Sequence, residues 1–431
     1  MNTPDLAPGI ATRLAAAKIL HSVFKTRRSL DDCFSTNGEY SGLPPVDQGF
    51  ARAMVIEALR QGGRLDHGIG EFLDRPVTGI DPDVRALLWL GVTQLWSLGT
   101  PAHAAVGETV AAAKSWPQTR KASGLVNAVL RKATLSRETF DATPAEKTWP
   151  DWVHDEFLRS LGLDGARALA AAQIDQPQLH LTSLEPDVTA QTLDGAVIAP
   201  GSVAITSARV DTLPGFQEGR WWVQDAAAAL AARILAPGED ECVLDLCAAP
   251  GGKTLQLAAT GARVIALDRS KNRLERVREN LDRTGLADRV DVIHGDVETW
   301  TPPVLADAIL LDAPCSALGT LRRHPEGAWI KSEREIQGYR AVQARFLDAA
   351  AAMLKPGGRL VYCVCTPRRE EGLEVIESAL GDEGLVRDPI RPPECNGFEG
   401  SVTAAGDVLT IPNGDKRHDA FFISRLRRRL K

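Results

Sequence analysis

Residues 362–366 read Tyr-Cys-Val-Cys-Thr, and the charged run Pro-Arg-Arg-Glu-Glu follows. Two thiols two residues apart could bind a metal, close a disulfide, fill a core or attack an electrophile. On a strand, Cys363 and Cys365 share one face while Val364 points to the other. The chain holds 7 cysteines, an odd number at low density, with no C-x-x-C pair and no histidine pair at ligand spacing. That pattern argues against a disulfide framework and against zinc, and it fits a reducing cytoplasm. No metal is expected. Cys33, Cys242, Cys363 and Cys395 read as small hydrophobes of the interior.

A second stretch, 243–254, reads Val-Leu-Asp-Leu-Cys-Ala-Ala-Pro-Gly-Gly-Lys-Thr. It has the order of a strand, a turn of small residues and a helix start. Ligands of open α/β sheets bind beyond the carboxyl ends of the strands, where the strand order reverses. Cys247, Ala248, Ala249, Pro250, Gly251, Gly252 and Lys253 would form the turn that lets a ligand approach the backbone. A phosphate-binding loop needs Gly-x-x-x-x-Gly-Lys-[Ser/Thr], but Cys247 stands where its first glycine belongs. The dinucleotide pattern Gly-x-Gly-x-x-Gly is also missing, which disfavours an NAD-dependent oxidoreductase. S-adenosylmethionine remains, a cofactor with a ribose but no phosphate. Asp268 ends the next apolar run, Val-Ile-Ala-Leu-Asp, where it can accept from ribose hydroxyls. Asp296 ends Val-Ile-His-Gly-Asp, within reach of an adenine. Asp312 and Cys315 follow the run 306–312, and Cys365 follows 359–364. Two thiols and several carboxylates are thus aimed at one crevice.

The elements that must hold these groups fall into three patterns. Residues 8–135 show helical periodicity punctuated by Gly and Pro. Residues 140–222 mix a short helix with the β-like stretches Leu-His-Leu-Thr-Ser-Leu and Ser-Val-Ala-Ile-Thr-Ser. From 223 onward, apolar strands alternate with helices, which predicts a parallel sheet covered on both faces. The final stretches 408–412 and 418–426 suggest an antiparallel pair at the sheet edge. Three domains are expected: helical over 1–138, a small α+β connector over 139–222, and an α/β domain over 223–431. No apolar run approaches the length of a membrane helix, and residues 1–10 lack the basic and apolar regions of a secretory signal. The formal net charge is −6. Local basic clusters stand at Lys25, Arg27 and Arg28, at Arg120 and Lys121, at Arg322 and Arg323, and in the tail 425–431; Arg322, Arg323 and the tail arginines are candidates to contact nucleic-acid phosphate.

The stretches Trp-Val-Gln-Asp-Ala-Ala-Ala-Ala-Leu (222–230), Asp-Leu-Cys-Ala-Ala-Pro-Gly-Gly-Lys-Thr (245–254), 310–320 and 360–371 together resemble the NOL1/NOP2/Sun RNA cytosine-5 methyltransferases. The helical region, through 101–114 and 124–132, is similar to the NusB RNA-binding fold. A NusB-like domain before such a catalytic domain resembles the RsmB-type branch of the family, which modifies a cytosine of small-subunit (16S) ribosomal RNA. The resemblance implies a Rossmann-like S-adenosylmethionine-dependent methyltransferase domain and an RNA substrate, in a cytoplasmic protein expected to act as a monomer. It assigns attack on cytosine C6 to Cys365 and help in product release to Cys315, with Asp312 at the edge of the base. Here Cys363-Val364-Cys365-Thr366 replaces the frequent Ser-Thr-Cys-Ser, and Gly372 follows Glu370 and Glu371 in place of Asn. A transfer-RNA substrate and a non-catalytic RNA-binding assembly factor are the competing readings.

Overall fold

The computed structural model describes residues 6–206, 209–381, 384–413 and 417–430. Residues 1–5 of the stretch read above for a leader, Ser207 of the second β-like stretch and Lys431 of the basic tail lie outside them. Two units are present: residues 1–176 with 321–333, and residues 177–320 with 334–431. The stretch 139–222 is divided between them at residue 176. No helix among the described residues is long and apolar enough to cross a membrane.

The first unit is helical. Its long helices span Pro8–Thr26, Pro45–Gly70, Pro82–Trp96, Ala102–Ser115, Ser123–Ala133 and, kinked at Gly162, Asp151–Ile174. Three begin with proline, whose fixed φ suits the first helical turn and whose missing N–H costs nothing there. Alanine-rich faces let the helices approach closely around Trp89, Trp96 and Leu59. Segment 321–333, which follows the Cys315 loop in sequence, belongs to this unit. Its Trp329 packs edge-on against Trp89 at 4.8 Å between ring centres and donates to the Leu59 carbonyl at 3.0 Å. Arg322, expected as a phosphate contact, is instead only 4% exposed within this segment.

The second unit carries two sheets. Strands β1 (Leu179–Ser183), β2 (Ala196–Ala199), β3 (Ser202–Ile205) and β4 (Trp221–Val223) form an antiparallel sheet of order β2-β3-β1-β4. The larger sheet holds β5 (Cys242–Leu246), β6 (Arg263–Asp268), β7 (Val290–His294), β8 (Ala306–Asp312), β9 (Leu354–Val364), β10 (Leu385–Arg387), β11 (Val408–Thr410) and β12 (Phe421–Arg428). Its order is β10-β12-β9-β8-β5-β6-β7, with β11 paired to β12. Strands β5 to β9 are parallel, as the alternation with helices predicts. β11 and β12 form the expected antiparallel pair, but β10, which the sequence pattern did not reveal, covers the outer side of β12. Arg425, Arg427 and Arg428 of the tail are strand residues with partners in this unit, and Arg429 follows the strand. Arg425 pairs with Asp388 and Glu394, and Arg427 with Asp388.

The chain runs from β5 outward to β7, returns to β8 beside β5, and continues to β9 on the other side. The reversal lies between β5 and β8. Apolar residues fill both faces: Leu244, Leu246, Ile309 and Leu311 on one, Val243, Val264, Ala308 and Leu310 on the other.

The loop after β8 is tied to the end of β9 and to β12 by backbone bonds. The Ala313 N–H donates to the Cys363 carbonyl, Gly319 N–H to the Cys365 carbonyl, and Ala420 N–H to the Gly319 carbonyl, each at 3.0 Å. A Cβ at Gly319 would lie 1.9 Å from the Ala420 oxygen and 2.9 Å from that of Cys365. Both obstacles are backbone and cannot rotate away. Gly319→Ala should therefore cost about 1–3 kcal/mol of stability, measured by denaturant unfolding. A variant as stable and as active as wild type would contradict this packing.

Candidate active site

A cleft of about 310 Å³ opens beyond the carboxyl ends of β5, β6, β8 and β9. That size is within the range of small-molecule sites. Of the residues singled out from sequence, Cys247, Ala249, Asp268, Asp296, Asp312, Cys315 and Cys365 line it. Ala248 is buried beneath the turn, with its N–H on the Leu267 carbonyl at 3.0 Å. Gly251 caps the helix Gly252–Ala259 with φ 103°, a conformation open to glycine, and its missing Cβ leaves room for Val277. Pro250, Gly251, Gly252 and Lys253 do not line the cleft. They shape the turn and the helix start behind it.

Asp268 is the anchor of this turn. It is 3% exposed, and its oxygens accept the N–H groups of Ala249 at 3.1 Å and Ser270 at 2.8 Å. Each carboxylate oxygen has two acceptor sites, so capacity remains for a ligand hydroxyl. Asp296 is exposed and accepts the Glu298 N–H at 2.9 Å. Val297, Phe346 and Ala249 give the cleft apolar walls. Two carboxylates against an apolar wall suit a nucleoside: hydroxyls and an amino group for the acids, a flat ring for the wall. This donor set fits S-adenosylmethionine. Beneath it, burial raises the carboxyl pKa of Asp245 to about 7, and Thr254 donates to that group at 2.5 Å.

The thiols meet at the other end of the cleft. Cys315 Sγ and Cys365 Sγ are 3.3 Å apart. The Cys315 thiol is held well above its ordinary pKa, first by its hydrogen bond to Cys365 and then by burial. Cys363 lies inside β9, fully buried, and donates to Asp312 Oδ1 at 3.4 Å. Burial and the Asp312 charge both push its pKa up, so it is an inert thiol at the base of the site.

Lys253 is placed differently from its neighbours in the turn. Its ammonium sits 2.7 Å from Asp312 Oδ2 and 5.3 Å from the centre of the Phe421 ring. Burial opposes that charge, but Asp312, Cys363 and Cys365 more than offset it and hold the ammonium above the ordinary lysine value. Asp312 is thus a carboxylate with a cation fixed behind it, facing the cleft beside the thiol pair.

Residues that sequence reasoning passed over complete the site. Arg269 and Arg273 line the cleft next to Asp268, and Arg273 also donates to the Ala249 carbonyl. The basic run after Asp268 was the available signal. Glu371 and Gln343 hold the Cys315 loop from behind. Glu371 stood in the charge run after Cys365, which carried no sign of its partner. Gln343 had no signal at all.

The chain matches the family of the 16S rRNA methyltransferase RsmB/F over 232–427 and the NusB family over 10–134. It is 36% identical to the ribosomal RNA small subunit methyltransferase B of Xanthomonas campestris pv. campestris, covering 88% of this chain and 90% of that one. It is 34% identical to the same-named protein of Salmonella paratyphi B, covering 96% and 98%. The crystal structure of PH0851 superposes with a TM-score of 0.74 at 22% identity, over 99% of this chain and 100% of that one, which concerns the fold. With relatives of this identity matched along almost their whole length, the chain belongs to the family of ribosomal RNA small subunit methyltransferase B, S-adenosylmethionine-dependent enzymes of 16S ribosomal RNA.

Proposed function

We propose that this enzyme methylates C5 of a cytosine in 16S ribosomal RNA through a covalent bond between Cys365 and C6 of the base. The observation that carries the reading is the pair of thiols 3.3 Å apart at the head of the cleft, flanked by Asp312 and Lys253. C5 of cytosine is a poor nucleophile. Addition of a thiolate to C6 converts the ring to an enamine and makes C5 electron-rich.

The steps follow from the groups present. Cys315, whose sulfur is 3.3 Å from that of Cys365, is placed to donate its S–H to the attacking sulfur. Cys365 forms the S–C6 bond, and the C5=C6 electrons shift toward C4 and N3. Asp312 accepts from the exocyclic amino group at N4, and the proton that N3 takes up comes from the Asp312–Lys253 pair. When bound, S-adenosylmethionine supplies the methyl group that the electron-rich C5 accepts. N3 then returns its proton to the pair. Once Cys365 is bonded to carbon it carries no charge, so the leading cause that keeps Cys315 protonated is gone. Cys315 gives its proton to solvent and takes the proton from C5. The C–H electrons restore the C5=C6 bond, and Cys365 leaves as the thiolate. In this scheme the base becomes available only once the adduct has formed.

Asp268 is proposed to bind the ribose hydroxyls and Asp296 the adenine, with the 247–253 turn against the rest of the cofactor. The target base must leave any stack to reach the thiols, which favours an unpaired nucleotide. The helical unit is proposed to hold flanking RNA, with exposed Lys25, Arg28, Arg120 and Lys121 as phosphate contacts.

Asp268→Ala should weaken S-adenosylmethionine binding by roughly 1–3 kcal/mol, because ribose hydroxyls lose a buried acceptor. Calorimetry showing unchanged affinity would remove Asp268 from the site. The two thiols should fail in opposite ways. Cys365→Ala abolishes methylation and forms no adduct. Cys315→Ala attacks and methylates but does not release, so a protein–RNA band stable to denaturant accumulates. The double variant forms none. Cys363→Ala remains active, because it loses only a weak S–H···O bond while Lys253 still holds Asp312. Denaturing gels with unmodified 16S RNA decide this. An adduct in Cys365→Ala with none in Cys315→Ala would reverse the roles.

A further inference from the structure

Glu371 has no place in the chemistry above, yet it is among the most committed side chains of the catalytic unit. It is fully buried. Its Oε2 accepts the Ser316 N–H at 2.7 Å and the Gln343 side-chain amide at 3.0 Å. Its Oε1 accepts from Arg368 at 2.9 Å. Gln343 also donates to the Pro314 carbonyl at 3.0 Å. The peptide units on both sides of Cys315 are therefore fixed, directly or through one amide, by a single carboxylate.

The backbone that bears this carboxylate is itself tied to the strand of the other thiol. The Tyr362 hydroxyl donates to the Glu371 carbonyl at 2.6 Å, and Arg368 donates to the Ile336 carbonyl at 3.1 Å. Ser316 and Thr366, the residues after the two cysteines, share a hydroxyl–hydroxyl bond of 2.9 Å. The backbone bond from Gly319 to the Cys365 carbonyl constrains the loop from its far side but does not touch Cys315. A buried carboxylate is costly unless its partners satisfy it, and here those partners are the loop and its brackets.

We propose that Glu371 is a positioning residue that sets Cys315 against Cys365, and so governs release of the methylated base rather than its attack. The inference rests on the proposed role of Cys315. Glu371 does not meet the base or the cofactor cleft; it acts through the Pro314–Ser316 backbone. Its negative charge also opposes ionisation of Cys315, after the hydrogen bond to Cys365 and burial.

The test compares wild type, Glu371→Gln and Cys315→Ala on unmodified 16S RNA with S-adenosylmethionine. Glu371→Gln keeps the shape but turns one of the two acceptor oxygens into an amide donor, so either Ser316 and Gln343 or Arg368 faces an N–H, and the buried charge is lost. The expected result is attack and first-turnover methylation near the wild-type rate. Release should be slower by about 100-fold, the scale of a misplacement of about 1 Å. A denaturant-stable adduct then accumulates as in Cys315→Ala, and calorimetry gives an unchanged affinity for S-adenosylmethionine. The acid limb of the release rate should also move to lower pH, because a negative neighbour of Cys315 is gone. Gln343→Leu, which leaves the buried charge pair intact, should shift release in the same direction by less, and it serves if Glu371→Gln does not fold. An adduct in Cys315→Ala with wild-type release in the Glu371 and Gln343 variants overturns the positioning role and leaves the thiol roles standing. Loss of attack and release together, without adduct, makes Glu371 merely structural and also overturns it. No adduct in Cys315→Ala overturns the thiol roles and this inference with them.

Discussion

The parallel pairing of β8 with β9 is the constraint on which the site depends. Asp312 lies opposite Cys363 in this register, so the chain beyond each strand emerges at the same level. Cys365 follows one strand and Cys315 the other, and their sulfurs come within 3.3 Å. Side chains alternate faces along a strand, so a slip of one residue would put Val364 where the thiols belong. The bonds from Ala313 to Cys363 and from Gly319 to Cys365 hold that register beyond the last regular ladder position. Strand β12 holds it from the opposite side, with Phe422 opposite Val364 and Ile423 opposite Cys363.

Around this junction the interior is unusually charged. Lys253 faces Asp312, Arg368 faces Glu371, and Asp245 rests under the cofactor turn. Burying such groups costs several kcal/mol each before pairing, so they are weak evidence for stability. Their value is electrostatic. Charges and donors fixed in advance need no reorganisation as the base becomes charged during attack. Burial and the Asp312 charge keep Cys363 silent, while the hydrogen bond to Cys365 and burial hold the Cys315 thiol above its ordinary pKa. Neighbouring thiols on one strand thus acquire different chemistry from position alone.

Much of this was legible in the sequence because the logic of an open α/β sheet is linear. Ligands bind at strand ends, so residues ending apolar runs were the ones to watch. That rule brought Asp268, Asp296, Asp312, Cys315 and Cys365 together, and all five line one cleft. It failed where position depends on what crosses over in space. Lys253 reads as part of the cofactor turn, but the helix start aims it at β8. The run after Cys365 is charged and gives no sign of burial, yet Arg368 and Glu371 are interior, with the Cys315 loop bonded to Glu371. The basic tail reads as an RNA patch, but Arg425 and Arg427 lie in strand β12 and meet Asp388 and Glu394. Strand β10 is three residues long, too short for periodicity to register.

The central claim is that Cys365 bonds to C6 of the target base. RNA in which the target carries 5-fluorocytosine tests it most directly, since fluorine at C5 cannot leave as a proton does and elimination is blocked. Incubation with S-adenosylmethionine, trypsin and nuclease digestion, and fragmentation by mass spectrometry locate the bond. A methylated fluoropyrimidine on Cys365, within 360–368, is the predicted result. The same mass on Cys363 of that segment, on Cys315 within 290–322, or no adduct at all would contradict it.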